Sequence, residues 1–183
     1  MLNYGAAAQI HFKKNAANLV NADLTAAQQA LGTQGDPDLT NNESETELTG
    51  ATAFINGKNL VFDSSVYLRY RMEFPEGQNM SKVKIRFTYV NAKGETKTQT
   101  VKASKFGTSG SYYTADCTII NPSEMRCVVS ATIYNGTKPI SSTLNYSIET
   151  YVYNRLKESS SETYKNLLTQ MIKYGISAEN HFQ

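Results

Sequence analysis

The alternation of apolar and polar residues between positions 66 and 90 is the feature that most restricts how this chain can fold. The apolar set is Val66, Leu68, Tyr70, Met72, Phe74, Val83, Ile85, Phe87 and Tyr89, and most residues between its members are charged. Successive side chains of a β-strand point to opposite faces of a sheet, so each segment predicts a strand with one buried face and one face in water. Strands of this kind need a second apolar layer to cover them, and a second sheet commonly provides it.

Turn signals divide the middle of the chain into seven or eight such strands. Asn-Gly pairs at 56–57 and 135–136 each predict a tight hairpin turn. The polar segment 95–102 predicts a strand at the edge of a sheet. The predicted fold is therefore α+β and mainly β: an antiparallel β-sandwich of immunoglobulin-like size over 51–147, packed with N- and C-terminal helices.

Helical segments flank the predicted sandwich. Residues 1–31 predict an N-terminal helix and a second short helix, which a capping box at Thr25–Gln28 begins and Gly32 ends. Residues 148–183 predict two C-terminal helices, the second of which begins at a capping box at Ser159–Glu162.

Residues 32–50 predict a solvent-exposed acidic loop. The segment contains no Lys or Arg and carries the carboxylates of Asp36, Asp38, Glu43, Glu45 and Glu47. Closely spaced Asp and Asn residues suggest calcium, but the EF-hand pattern is absent. A solvated loop without a metal ion is the preferred interpretation.

The two ends of the chain carry nearly the same sequence. The matched pairs are Met1/Met171, Tyr4/Tyr174, Gly5/Gly175, Ala8/Ala178, His11/His181 and Phe12/Phe182. Steps of three and four place these residues on one helix face, so we expect both ends to be helices with equivalent buried faces. A segment that recurs at a long fixed interval is typical of tandem modules. We therefore expect one full repeat, preceded in residues 1–31 by the end of another repeat and its connector.

The size and charge of the chain argue against several classes of function. Its 183 residues are enough for one domain with a core of its own. A net charge of +2 gives no case for nucleic-acid binding. No apolar run approaches the roughly 18 residues of a membrane-spanning helix, so no membrane insertion is expected. No leader pattern precedes Met1, and we expect a piece of a longer exported protein whose signal and anchor lie elsewhere.

The sequence contains no recognisable catalytic motif. The zinc-protease, nucleophile-elbow, P-loop and dinucleotide patterns do not occur. The two histidines, His11 and His181, occupy one repeat position and are expected to be packing residues. Cys117 and Cys127 flank a predicted turn at 121–124 and either pair across it or remain isolated buried thiols. We expect no enzymatic activity, metal or cofactor.

A cluster of Arg, Lys and Tyr side chains is the candidate binding surface. If 66–74 and 82–90 pair as a hairpin across Glu76–Gly77, their polar side chains share one face. That face would carry Tyr67, Arg69, Arg71, Lys82, Lys84 and Arg86. The alternatives are an ordinary solvated sheet face, or a face covered by the acidic loop.

Tyrosine is the second indication of a binding surface. The chain has 12 Tyr and no Trp. Tyr112 and Tyr113 are adjacent in a predicted strand, so one of them must point away from the core and both are candidate contacts. Tyr and Arg are enriched at protein interfaces, which favours a protein partner, although Tyr also stacks on sugars.

Several segments with these features occur together in a fixed order. They include YGAAAQ, HF, LRY, ATIYNG, TLNYSIETY and a leucine-containing final helix. In this combination the chain resembles a repeat module of very large exported surface proteins from gut-dwelling Gram-positive bacteria, and the resemblance covers nearly the whole chain. The matching positions are Tyr4, Gly5, Ala8, Phe12, Leu68, Arg69, Ala131, Tyr134, Gly136, Tyr146, Ser147 and Tyr151. The resemblance implies an extracellular or cell-wall-attached location and neighbouring repeats in the same chain.

The resulting expectation is a non-catalytic binding module of a bacterial cell-surface or secreted multi-domain protein that acts in host–microbe interaction. Its partner would be a host protein, and immunoglobulin is a candidate by analogy with other large repeat proteins of gut bacteria. A carbohydrate-binding module is the alternative, and a passive structural spacer is the third possibility.

Overall fold

The computed structural model describes residues 1–15, 17–31, 35–63 and 65–182. The α-helices are α1 (Leu2–His11), α2 (Ala26–Leu31), α3 (Ile148–Glu158) and α4 (Glu162–Phe182). The strands are β1 (Ser44–Thr46), β2 (Phe54–Phe62), β3 (Val66–Glu73), β4 (Val83–Val90), β5 (Thr96–Lys102), β6 (Gly107–Ser109), β7 (Tyr112–Cys117), β8 (Val129–Asn135), β9 (Lys138–Pro139) and β10 (Thr143–Tyr146). Short 3₁₀ turns lie at Met80–Lys82, Ala103–Lys105 and Pro122–Glu124.

The strands form two antiparallel sheets around one apolar core. The first sheet has the order β1-β10-β8-β4-β5, with β9 paired to β8, and the second has the order β2-β3-β7-β6. The predicted α+β architecture, an antiparallel β-sandwich with N- and C-terminal helices, is confirmed. The strands beyond the predicted seven or eight are β1, β6 and β9, whose two or three residues are too few to show alternation.

The apolar faces of β3 and β4 meet across the core. Tyr70 of β3 and Phe87 of β4 are fully buried, and their ring centroids lie 5.0 Å apart. Leu68, Met72 and Ile85 are also fully buried, as the alternation predicts. Burial of one such side chain contributes about 1.5–3 kcal/mol of stability. Because fully buried side chains from both sheets meet here, these two strands form the centre of the core.

The two strands lie in different sheets, so the predicted hairpin between them is wrong. After β3 the chain crosses to the first sheet, where β4 pairs with β5 and β8. The apolar faces of β3 and β4 therefore point toward each other and their polar faces point apart. Alternation determines which side chains are buried but not which strand is the neighbour, so a hairpin and a crossing between sheets look alike in sequence.

The two Asn-Gly pairs adopt different structures. The pair at 135–136 forms the predicted hairpin turn, with φ of +63° at the glycine and pairing of β8 with β9. At 56–57 the hairpin prediction is wrong, because β2 runs through the pair with a β-bulge and stays paired with β3. β5 is an edge strand, as predicted.

Part of the predicted acidic loop packs on the sandwich. Residues 32–34, including the Gly32 predicted to end the second helix, lie outside the described residues. Ser44–Thr46 pairs with β10, so the prediction of a continuous loop over 32–50 missed a strand. Glu43 forms an ion pair with Lys58 of β2, which places the acidic segment at the edge of the second sheet. This contact replaces the predicted cover over the Arg and Lys cluster.

The C-terminal helices share the core of the sandwich. The Ser147 hydroxyl accepts a 2.9 Å hydrogen bond from the Thr150 amide and so begins α3 at the predicted position. α4 begins at Glu162, within the predicted capping box. The fully buried side chains of α4 are Leu167, Leu168, Met171 and Ile172.

The matched terminal segments are both helical, as predicted, but their buried faces are not equivalent. Met171 and Ile172 are each 0% exposed, whereas their counterparts Met1 and Leu2 are 76% and 43% exposed. The sequence repeat therefore specifies the same helix in two different environments. The prediction of equivalent burial is wrong, because burial depends on the neighbours that each copy meets.

The alanine of the repeat is half-buried in both copies. Ala8 and Ala178 were each predicted to lie on a buried helix face, and neither of them is buried. The buried residues of α4 end at Gly175, because the helix leaves the core after that point, and those of α1 are Ala6 and Ala7. The prediction of a buried position is therefore wrong for Ala178 and for its counterpart.

α1 packs antiparallel against α4. Tyr4 stacks on Tyr174, its own counterpart in the repeat, with centroids 6.2 Å apart. At the other end of α1, the His11 ring lies 5.0 Å from the ring of Tyr164. The two copies of the repeated sequence thus contact each other within one module.

A single arginine ties the helices to the sandwich. Glu149, in the first turn of α3, is 1% exposed and accepts a 3.1 Å hydrogen bond from Nε of Arg126. Nη1 of Arg126 lies 3.5 Å from a carboxylate oxygen of Glu179 on α4. Asn42 of the acidic segment donates to Glu149 at 3.3 Å. Three parts of the chain therefore meet at the buried Glu149 carboxylate, and Arg126 connects α4 to them as a fourth.

The substitution Gly175→Leu is expected to lower the free energy of unfolding by about 1–3 kcal/mol through overpacking. A Cβ at this position would lie 2.9 Å from Sδ of Met125 and 3.1 Å from the carbonyl oxygen of Pro122, and that oxygen belongs to the backbone. Chemical denaturation measures the change, with Asn180→Leu at an exposed position of α4 as the control. An unchanged midpoint for the Gly175 variant would contradict close packing of α4 here.

Arg126→Ala is expected to cost about 2–3 kcal/mol of stability, because it leaves Glu149 buried without its charged partner. The side chain of Arg126 is 42% exposed, which keeps the effect below that of a fully buried ion pair. The control is Glu158→Ala, which removes an exposed pair with Arg155 worth about 0–1 kcal/mol. Equal denaturation midpoints for the two variants would show that the Arg126 contact is not central.

Candidate binding surface

The structure divides the predicted binding cluster between the two outer faces of the sandwich. Tyr67, Arg69 and Arg71 lie on β3 in the second sheet. Lys84 and Arg86 lie on β4 in the first sheet. Because the sheets pack through their apolar faces, the two groups point in opposite directions. Lys82, the sixth residue predicted for this face, lies in the 3₁₀ turn just before β4. The prediction of one face that carries all six residues is therefore wrong.

The two adjacent tyrosines of β7 also point in opposite directions. Tyr113 packs inward, with its ring centroid 5.4 Å from that of Phe74 and 6.4 Å from that of Phe106. Tyr112 lies on the outer face, beside the residues of β3. The prediction that one of the pair points away from the core is confirmed, and Tyr112 is the one that remains a candidate contact.

Arg69 is held in place by Asp116 on the neighbouring strand. The sheet register places the two residues opposite each other. The guanidinium donates from Nε to Oδ1 at 2.7 Å and from Nη2 to Oδ2 at 2.8 Å. A fork of this kind is among the stronger side-chain interactions, and the hydrogen bond to Asp116 raises the pKa of Arg69. The guanidinium also lies 5.8 Å from the ring centre of Tyr67.

Arg71 lies flat between Tyr112 and β2. Its guanidinium carbon is 4.5 Å from the centre of the Tyr112 ring, a cation–π distance. Nε donates to Oδ1 of Asn56 at 3.3 Å. Gly57 is the register partner of Arg71, and a Cβ at Gly57 would lie 2.9 Å from that Nε. The Asn-Gly pair therefore provides the space for the guanidinium.

Tyr67, Arg69, Arg71, Tyr112 and Asp116 together form what we call the tyrosine–arginine face. Its charges are nearly balanced, because Asp116 pairs with Arg69 and Asn56 links Arg71 to the carboxylate of Glu73. The predicted excess of positive charge therefore does not hold for this face. Since contacts within the protein already hold both guanidinium groups, binding a partner would cost little additional side-chain entropy.

An open groove of about 780 Å³ extends from this face to the edge of the sandwich. It lies between β5 of the first sheet and β6–β7 of the second, and Lys102 and Thr114 are among its lining residues. Gln99 of β5 accepts from the Thr118 amide at 2.9 Å and donates to the Asp116 carbonyl at 3.1 Å. The Gln99 side-chain amide thus bonds to backbone groups of residues 116 and 118 as a neighbouring strand would, and it connects the two sheets at this edge.

The outer face of the first sheet carries a second stacked pair. The guanidinium carbon of Arg86 lies 4.4 Å from the centre of the Tyr134 ring. Lys84 is the register partner of Tyr134, and the hydroxyls of Thr132 and Thr143 lie 2.7 Å apart nearby. This face is a natural comparison for the tyrosine–arginine face, because the same residue types stack at nearly the same distance.

Sequence analysis missed Asp116, Asn56 and Gly57, which shape the tyrosine–arginine face. Asp116 is four residues after Tyr112, so strand alternation alone places both on one face, and that signal was available. No local signal identifies the other two, because an Asn-Gly pair between apolar segments most often indicates a turn.

The two histidines differ: His11 is a packing residue, as predicted, whereas His181 is exposed. The His11 ring lies 4.8 Å from Phe12, and its Nδ1 is 3.4 Å from the Thr163 hydroxyl. His181 is exposed beside Phe182. Within 1–15, 17–31, 35–63 and 65–182, no three or more His, Cys, Asp or Glu side chains are grouped so that they could hold a metal ion. Among the helices in those ranges, none combines the length and apolar character that crossing a membrane requires.

Cys117 and Cys127 are unpaired, as in the second of the two predicted alternatives, but only Cys117 is buried and Cys127 is half-buried. Burial raises the pKa of the Cys117 thiol to about 12 and that of the Cys127 thiol to about 11. Both thiols therefore remain protonated, and weakly nucleophilic, at neutral pH.

We expect iodoacetamide to modify both thiols much more slowly at pH 8 in the folded protein than in denaturant, where their pKa returns to about 8.5. Mass spectrometry of the alkylated peptides measures the rates. Because the folded pKa values are the higher ones, this contribution to stability is complete below pH 8.5 and is lost as the pH rises through 11 and 12. Rapid alkylation of Cys117 in the folded protein would contradict its burial.

Comparisons of the chain with protein-family models, with curated proteins and with solved structures find no match.

Proposed function

We propose that this chain is a non-catalytic binding module of a bacterial cell-surface or secreted multi-domain protein, and that it binds a host protein through the tyrosine–arginine face. The observation that carries the proposal is the pre-formed arrangement of Arg69 in its Asp116 fork and Arg71 on Tyr112. Arg and Tyr are the residue types that most often dominate binding energy at protein interfaces.

The limited access to the faces of the aromatic rings favours a protein partner over a sugar. A sugar stacks on an uncovered ring face, but the guanidinium of Arg71 already covers one face of Tyr112. Tyr67 is only 9% exposed. A protein surface can instead use the guanidinium planes, the ring edges and the remaining hydrogen-bonding atoms.

Carbohydrate binding is the second candidate, and the groove beside the face supports it. The groove holds about 780 Å³, and it is lined largely by side chains with hydrogen-bonding groups, among them Gln99 and Lys102. Sugars need such groups as well as a stacking surface. A passive structural spacer is the third candidate, and failure of both binding assays would favour it.

The proposed location is extracellular or attached to the cell wall. Its support is the resemblance to modules of large exported proteins of gut-dwelling bacteria. Immunoglobulin, the candidate by analogy with other large repeat proteins of gut bacteria, is accordingly the first protein to test as the partner.

The test is capture of pooled immunoglobulin, and then of whole host secretions, by the purified immobilised chain. Arg71→Ala should weaken binding more than tenfold, which corresponds to about 1.4 kcal/mol, because it removes the guanidinium from the centre of the face. Since the charges of the face are balanced, binding should change little between low and physiological salt.

Arg86→Ala is the matched control, since it removes the equivalent guanidinium from the stack on the opposite sheet. It should leave binding unchanged. Equal loss in both variants, or loss only with Arg86→Ala, would refute the assignment to the tyrosine–arginine face. Binding on a glycan array without protein capture would replace the protein partner with a sugar.

A further inference from the structure

The two copies of the terminal helix sequence are packed along opposite halves of their length. At the start of the repeat, Met171 and Ile172 enter the core, whereas Met1 and Leu2 lie exposed at the beginning of α1. The apolar side chains at these two repeat positions are thus buried in the second copy and exposed in the first.

At the end of the repeat the situation is reversed. Phe12 is 43% exposed, but its ring packs on Phe62 of β2, with ring centroids 5.8 Å apart. Its counterpart Phe182 is 62% exposed, and its ring contacts the adjacent His181. Each copy therefore has the contacts that the other is missing.

The exposed copy already has the shape of the packed one. The ring centroids of His11 and Phe12 lie 4.8 Å apart at an interplanar angle of 79°, and those of His181 and Phe182 lie 4.9 Å apart at 78°. Residues 181–182 therefore need no rearrangement to make the contacts that residues 11–12 make.

Glycine occurs at the same repeat position for two different reasons. A Cβ on Gly5 would lie 2.8 Å from Cγ2 of Val20, in the connector that follows α1. A Cβ on Gly175 would lie 2.9 Å from Sδ of Met125, in the turn before β8. If one helix packed against both Val20 and Met125, each of these contacts would require glycine at this repeat position.

We propose that residues 171–182 of one module serve as residues 1–12 of a second copy, so that consecutive modules share one helix and dock through it. The receiving surface is the one on which α1 lies here, formed by Phe62, Tyr164 and Tyr174. The first half of the shared helix is buried by its own module, and the second half makes its ring contacts with the next. This proposal concerns contacts between modules and does not depend on the ligand of the tyrosine–arginine face.

The test uses a fused chain in which residues 1–182 are followed directly by residues 13–183 of a second copy. In the single chain, Phe182→Ala should leave the unfolding midpoint unchanged because the side chain is exposed. In the first copy of the fused chain, the same change should lower the midpoint at least as much as Phe12→Ala lowers that of the single chain. Phe182→Ala in the second copy of the fused chain is the matched control and should have no effect.

Hydrogen exchange provides a second measurement on the same fused chain. Amides of 176–182 in the first copy should exchange about tenfold or more slowly than the same amides in the second copy, because docking protects them. Three outcomes would each overturn the proposal. They are equal exchange in the two copies, an unchanged unfolding midpoint for Phe182→Ala in the first copy, and a second copy that does not fold without its own residues 1–12.

Discussion

The burial of the Glu149 carboxylate is the constraint on which the relative placement of the helices and the sandwich depends. An ionised carboxylate that leaves water needs charged or hydrogen-bonding partners, and Arg126 and Asn42 provide them from two separate segments. Since Arg126 also reaches Glu179, the position of α4 is coupled to that of α3. α1 then lies on α4, so this ion pair, together with the buried apolar side chains of α4, helps to place the surface that receives a helix end.

In the tyrosine–arginine face, the backbone of one strand leaves the space that a side chain of the next strand occupies. Gly57 leaves a space in β2 that a larger residue would fill, and the guanidinium of Arg71 occupies it. A β-bulge shifts the register between Ile55 and Gly57, directly beside this space. A ligand would therefore meet two arginines whose orientation is set before it arrives.

The alternation in 66–90 was enough to identify the buried side chains and the sandwich, because burial of one strand face is a local property of the sequence. Whether β3 and β4 are neighbours depends on the 74–82 connection and on competing strands, which alternation does not encode. Because of this error, the predicted binding cluster combined Arg71 with Arg86, which the structure places on opposite outer faces of the sandwich. The terminal repeat predicted two helices correctly, but the different burial of Met1 and Met171 arises from tertiary neighbours and is invisible in their identical letters.

The bridge that Gln99 makes between the sheets has a consequence for chains in which such modules follow one another. The outer edge of β5 offers unpaired backbone groups, and an edge of this kind is a template on which a neighbouring chain can add a strand. Neighbours on one polypeptide are present at effective concentrations of about millimolar, where such misassembly is a serious hazard. By drawing β5 toward β7 through its side-chain amide, Gln99 restrains that edge, and Lys97 and Lys102 add charge to it. The edge is thereby suited to resist strand addition by an identical neighbouring sequence.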